Sequence, residues 1–168
     1  MRQTSFAGFH CSLARSLEVM GDWWAPLVLR DVSLGVDRFD DLAADLGISR
    51  NLLSRRLADL VRYGLLEPVA YSEHPPRHFY RLTQPGQDLM PVLAALTAWG
   101  DRWQTPPGGP PIRFEHAGHD CRPEVTCSSC GQRLGRADLE PRPGPGAEVA
   151  PGTALLPLRV ARRSGLSG

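Results

Sequence analysis

Residues 35 to 83 hold two short amphipathic stretches parted by a single glycine, followed at once by two alternating runs with prolines between them. Few folds accept that order. In Arg38-Phe39-Asp40-Asp41-Leu42-Ala43-Ala44-Asp45-Leu46-Gly47 the apolar positions Phe39, Leu42, Ala43 and Leu46 fall three and four apart, so one helical face can be buried. Asp40 and Asp41 suit the positive end of that helix, and Gly47 supplies the left-handed residue that stops it.

Ser49 can cap a second helix by accepting a first-turn amide, with Ile48 placed to pack on Leu53. Leu53, Leu57 and Leu60 give its buried side and Gly64 its end. The opposite face carries Arg50, Asn51, Ser54, Arg55 and Arg62. From Ser49 to Tyr63 there are four arginines and one aspartate, a local charge of +3. Arginine forks pair bidentately with guanine and asparagine with adenine, so such a face suits a DNA major groove. A solvated amphipathic helix would also carry charge there, and the neighbours shift the balance. Leu66-Glu67-Pro68-Val69-Ala70-Tyr71 and His78-Phe79-Tyr80-Arg81-Leu82 read as paired strands. Between them Ser72–Arg77, with Pro75 and Pro76, predicts a stiff tip presenting His74 and Arg77 to phosphates. Two helices, a tight turn and a ribbon make a winged helix-turn-helix, mainly α with a small β-wing, an α+β fold.

Cys11, Gly21-Asp22-Trp23-Trp24, Leu29-Arg30-Asp31, Arg38-Phe39, Ile48-Ser49, Leu53-Ser54-Arg55-Arg56-Leu57, Gly64-Leu65, Pro75-Pro76-Arg77, Tyr80, Leu82-Thr83 and Trp99-Gly100 arrive in one order. In that order the chain resembles the HxlR-type winged-helix transcriptional regulators of the MarR-like superfamily, over about residues 10 to 103. The resemblance implies a cytoplasmic homodimer binding double-stranded DNA at a pseudo-palindromic operator, often as a repressor. It makes Arg50, Asn51, Ser54 and Arg55 groove and phosphate contacts and Arg77 a wing contact, leaving Arg56 open between structure and binding. It also implies that Cys11, beside His10, can sense oxidants or electrophiles; a plain core thiol is the alternative.

The flanking helices are expected to supply core and dimer. Ser12 is placed to cap one helix carrying Leu13, Leu17 and Met20, and Asp22 to cap the next, with Trp24, Leu27, Val28 and Leu34 facing inward. After the wing, Thr83 should cap a longer helix bent at Pro91, with a heptad-like stripe of Leu89, Leu93, Leu96, Trp99 and Trp103. Tryptophans at such a helix end are costly for a monomer, so Leu13, Leu17, Leu93, Leu96, Trp99 and Trp103 are read as a dimer interface.

Proline and glycine make up 20 of the 64 residues from 105 onward, against 13 of 104 before. That shift divides the chain into 1–104, the winged unit with its dimerisation helices; a linker at 105–111; a small Cys/His segment at 112–140; and 141–168, read as a disordered tail. In the third part Cys127-Ser128-Ser129-Cys130-Gly131 forms a knuckle, and Cys121 with His119, or His116 instead, could complete four structural zinc ligands. No cofactor is required otherwise. The N-terminus lacks a secretory core and no run is long enough for a membrane span, so a cytoplasmic, membrane-free protein is expected. No nucleophile, base or cofactor loop has usable spacing for an enzyme. The remaining alternative is a winged-helix protein-interaction module beside a structural zinc segment.

Overall fold

The computed structural model describes residues 5–74 and 76–163; the wing-tip Pro75, residues 1–4 of the N-terminus and residues 164–168 of the tail lie outside the described residues. Two compact units divide the chain, Trp23–Arg133 and a second built from Met1–Asp22 and Leu134–Gly168.

The larger unit opens with α2 (Trp24–Ser33), the second helix of the chain after α1 (Ser12–Met20). It continues through α3 (Phe39–Leu46), α4 (Arg50–Arg62), the antiparallel pair β1 (Leu66–Glu73) and β2 (Pro76–Leu82), and α5 (Gln84–Trp103). A second hairpin, β3 (Phe114–His116) with β4 (His119–Cys121), follows. The core is aliphatic. Val28, Leu29, Leu42, Leu53, Leu57, Leu60 and Leu66 are essentially inaccessible to water, and burying each such side chain stabilises by about 1.5–3 kcal/mol.

Local chemistry fixes the junctions. Gly47 ends α3 in the left-handed region at φ 60°, and Ser49 then caps α4 by accepting the Leu52 amide at 3.4 Å. Thr83 accepts the Gly86 amide at 3.3 Å and donates its hydroxyl to the Gly64 carbonyl at 2.5 Å, tying the start of α5 to the end of α4. Gly86 sits so close to the Leu65 carbonyl that a Cβ there would approach the oxygen to 2.2 Å. Only glycine fits that crossing. α5 runs on through Pro91.

Several expectations need correcting. Ser12 is the first residue of α1, not its cap; Cys11 occupies the N-cap position in extended backbone. Trp23, directly before α2, already has helical backbone, so by its dihedrals the helical turn begins one residue earlier, next to Asp22. The residues of α2 that turn inward are Ala25, Val28, Leu29, Asp31 and Val32, whereas Leu27 and Leu34 stay 37% and 58% exposed. A ten-residue helix can carry apolar side chains on two faces, and periodicity alone does not choose the face. The wing strands are longer than predicted: Glu73 pairs with Pro76 and Ser72 with Arg77, leaving a tighter tip, and an irregularity between Ala70 and Ser72 adds a bulge at Tyr71.

The smaller unit joins both chain ends. Glu18 of α1 accepts the Ser5 hydroxyl at 2.9 Å and the Phe6 amide at 2.6 Å, and the rings of Phe6 and Phe9 meet edge to face. Phe9 lies against Gly152, the His10 amide donates to the Pro151 carbonyl at 3.0 Å, and the His10 imidazole pairs with Glu148. Residues 141–163, read from composition as a disordered tail, thus include a segment packed on the N-terminal stretch and end in the helix α6 (Leu156–Arg163). The boundaries at 104, 111 and 140 are likewise not those of the two units.

Candidate nucleic-acid interface

α4 presents its polar side cleanly because its apolar side is consumed by the core. Leu53, Leu57 and Leu60 are buried, so the helical period leaves Arg50, Asn51, Ser54 and Arg55 exposed together on its first two turns. Those turns also carry the positive end of the helix dipole, favourable to phosphate. Arg56 is settled by its surroundings: its side chain is largely buried and bonds Asp59 at 3.1 Å, while Arg62 takes the other oxygen of Asp59 at 2.7 Å. It belongs to the scaffold of α4, and the exposed cations of the first two turns are Arg50 and Arg55.

Arg50 is engaged already. Its guanidinium bonds Asp40 at 2.6 Å and lies 4.8 Å from the centre of the Phe39 ring. Both partners of that ion pair are well exposed, so water weakens it and a phosphate can compete for the cation.

The wing stands beside this helix. His74 and Arg77 are exposed near its tip, as expected. Arg38 was not singled out by its residue type or spacing. It pairs with Phe79 as an added bridge beside β2, and the Asp37 carbonyl accepts the Tyr80 amide at 2.8 Å. Its guanidinium is stacked against both Tyr71 and Phe79, 5.2 and 5.1 Å from the ring centres, while the residue remains exposed. A polar cleft of about 380 Å³ opens between wing and helices, lined by Arg38, Arg50, Arg77 and His78 with Asp40 and Asp41. Tyr80 also borders it, and burial pushes its phenol above the ordinary value. The sole signal for Arg38 in the sequence was its place in an Arg-Phe pair opening α3; the aromatic stack depends on a strand forty residues away.

α5 carries a row of exposed apolar residues. Val92, Leu96, Trp99 and Trp103 recur four, three and four apart, and Trp99 and Trp103 are 55% and 60% exposed. Leu93 is half-buried. Leu13 and Leu17 are exposed on α1. Cys11 is half-buried and its thiol is free, and its neighbour His10 is drawn to Glu148.

The cysteine segment is arranged differently from the ligand set expected of it. Ala117 and Gly118, both at positive φ, make the two-residue turn of the β3–β4 hairpin, which sets Cys121 opposite Phe114 and His116 opposite His119. The imidazoles of His116 and His119 meet edge to face. Cys127 and Cys130 lie on a separate turn, where the Gly131 amide donates to the Cys127 carbonyl at 2.8 Å. Backbone amides of Cys130 and Ser129 hold the Cys127 thiol below its ordinary value. Among the described residues no three His, Cys, Asp or Glu side chains gather as metal ligands, so Cys121, Cys127, Cys130 and His119, or His116 in its place, are not brought together. A tetrahedral zinc needs four donors, and this turn offers two of them. Also among the described residues, no helix is long and apolar enough to cross a membrane.

Comparison with known proteins accords with this geometry. The family model for the HxlR-like helix-turn-helix matches residues 19–107. An HTH-type transcriptional regulator of Mycobacterium tuberculosis is 44% identical over 137 residues, covering 80% of this chain and 87% of the relative. The crystal structure of PA1607, a candidate transcription factor, superimposes with a TM-score of 0.70 at 33% identity, covering 81% of this chain and 96% of the other. The redox regulator HypR in its oxidised form superimposes with a TM-score of 0.51 at 26% identity, covering 55% of this chain and 96% of its own.

Proposed function

The chain belongs to the HxlR-like helix-turn-helix family, as a DNA-binding transcriptional regulator and not an enzyme, and from that premise we propose that it acts as a homodimeric repressor. Its operator is pseudo-palindromic double-stranded DNA in the cytoplasm, and a redox or small-molecule signal releases it. The observation that carries this reading is the exposed set Arg50, Asn51, Ser54 and Arg55 on a helix whose other face is wholly committed to the core. Arg55 and Asn51 read base edges, Arg50 leaves Asp40 for DNA, and His74, Arg77 and Arg38 hold the backbone beside the wing.

Dimerisation follows from the cost of the alternative. Trp99, Trp103 and Leu96 of α5 leave a large apolar surface in water, and within the smaller unit Leu13 and Leu17 of α1 are exposed as well. A two-fold dimer would bury them and place two copies of α4 about one DNA turn apart, roughly 34–36 Å. HypR is a redox regulator, and Cys11, a half-buried free thiol at the start of α1, is the residue through which this chain would answer an oxidant.

The test is binding to the DNA upstream of the chain's own gene beside a scrambled fragment, across a salt series, with wild type, Arg50→Ala plus Arg55→Ala, and Arg136→Ala. Preferential binding lost in the double variant by about 1–3 kcal/mol per arginine, and kept in Arg136→Ala, is expected. Equal losses in both variants would mean diffuse charge attraction and end the groove-reading account.

A further inference from the structure

Away from α4, a cavity of about 720 Å³ lies between α2 and α5. Leu27, Arg30 and Leu34 of α2 line one side of it, and Leu93 and Leu96 of α5 another. A third side comes from the segment after the linker, where Pro111, Ile112 and Phe114 close over the two helices. That wall is fastened in place: Phe114 pairs with Cys121 across the hairpin, and the next residue, Arg122, donates to the Ala98 carbonyl of α5 at 3.2 Å. It lies beyond residue 107, where the family match ends.

We propose that this cavity is an effector site for an uncharged, largely apolar small molecule, an inference that rests on the regulator reading above and gives its signal a place. Ligand sites are commonly cavities of roughly 300–1,000 Å³ with apolar walls and few polar groups. Here the walls explain leucines that neither the core nor the proposed dimer takes, since Leu27 and Leu34 are exposed without a ligand. The charged residues of the lining are Arg30 and Asp101, one of each sign, and the Arg30 guanidinium is already held by Asp31 at 2.7 and 2.6 Å. An anion would shed its water there without gaining a free cation, and a cation would gain one carboxylate at the cost of facing apolar walls, whereas a neutral ring or hydrocarbon with one hydroxyl or N–H can use the Asp101 carboxylate as acceptor and bury the rest.

The site can reach the DNA-reading face through the helices that form it. The opposite face of α2 carries Val28 and Leu29 into the core beside α3 and α4, and α5 is tied to the end of α4 through the Thr83–Gly64 bond. An occupant that sets α2 and α5 further apart therefore shifts α4 against the wing, and it changes DNA affinity to the extent that it favours one arrangement.

The experiment uses the full chain and Nile red, an uncharged apolar dye, with Ala94→Phe to fill the cavity and Ile112→Asp to charge its wall. The expected result is saturable binding of one dye per chain with blue-shifted emission. Affinity should fall about tenfold or more in both variants, while thermal unfolding and ligand-free DNA binding stay near wild type. Dye should lower the operator affinity of wild type several-fold and leave that of both variants within about twofold of its dye-free value. No saturable binding, or binding in both variants as tight as in wild type, overturns the proposal. So does dye affinity that rises as the protein is diluted into monomers, because a second copy would then fill the cavity, or dye binding that leaves operator affinity unchanged. Ligand-free operator binding and its loss in Arg50→Ala plus Arg55→Ala report on the regulator reading separately.

Discussion

α4 and α5 are both amphipathic helices of one compact unit, yet they finish their apolar faces in opposite ways. α4 spends all three of its core leucines inside the chain and offers water only polar side chains at its N-terminal end. α5 buries Gly86 and Ala98 and leaves Val92, Leu96, Trp99 and Trp103 exposed along twenty residues, about 30 Å. A helix closed on one side by its own core can present a rigid reading face. A helix left open asks for another molecule, a second copy on one side and a small ligand on the other.

The largest effect expected from breaking that contrast is at Leu57. Leu57→Ala should cost about 2–5 kcal/mol of global stability, measured by denaturant melts, at any protein concentration, because the cavity it leaves lies wholly inside one chain. Trp103→Ala should behave oppositely. It is expected to weaken self-association by about 2 kcal/mol in sedimentation equilibrium while the monomer unfolds as before; a concentration-independent loss of stability would place Trp103 in the core instead. Asp40→Ala sharpens the account of the reading face, since it frees Arg50 and removes a carboxylate beside DNA. Operator affinity should rise by roughly 0.5–1 kcal/mol at low salt, a gain that shrinks as salt is added.

The smallest expected effect concerns Asp31, which sits at 2% exposure between the two helices' supporting layers. Burial raises its pKa above the ordinary 3.8, against the opposing pull of Arg30. Oδ1 accepts the Arg30 bond, whereas Oδ2 is buried without a hydrogen-bond partner among the described residues. With a folded pKa above the unfolded one, the native state holds the proton more tightly. The resulting stabilisation is complete below the unfolded value and disappears as pH rises through the folded one. The melting temperature of wild type relative to Asp31→Asn should therefore climb as pH is lowered from above the raised folded value towards the ordinary carboxylate value, and level off below it; a flat difference would mean that the Arg30 pair cancels the burial.

The helix–turn–helix and wing could be read from the sequence because each rests on local rules. A glycine at positive φ, a serine at an N-cap, leucines at helical spacing and alternating strand residues act within a few positions of one another. The same locality made Arg50, Asn51, Ser54 and Arg55 legible, since the buried leucines dictate what lies opposite them. Elsewhere the sequence named residues without placing them. Leu27 and Leu34 look like core, but α2 has two apolar faces and the choice between them belongs to the helices that pack on it. Arg38 became part of the candidate site only when the wing brought Tyr71 of β1 and Phe79 of β2 to its guanidinium. The cysteines had the composition of a metal site, yet Cys121 ends up on a hairpin and Cys127 and Cys130 on a separate turn.

What the sequence determined by itself is the order of elements and the sign of each face, because propensity, capping and period are properties of neighbouring residues. What only the tertiary structure decided is which apolar surfaces meet, which remain open, and that the two ends of the chain close on each other. Those outcomes depend on contacts between residues far apart in the chain, whose relative placement no local rule contains.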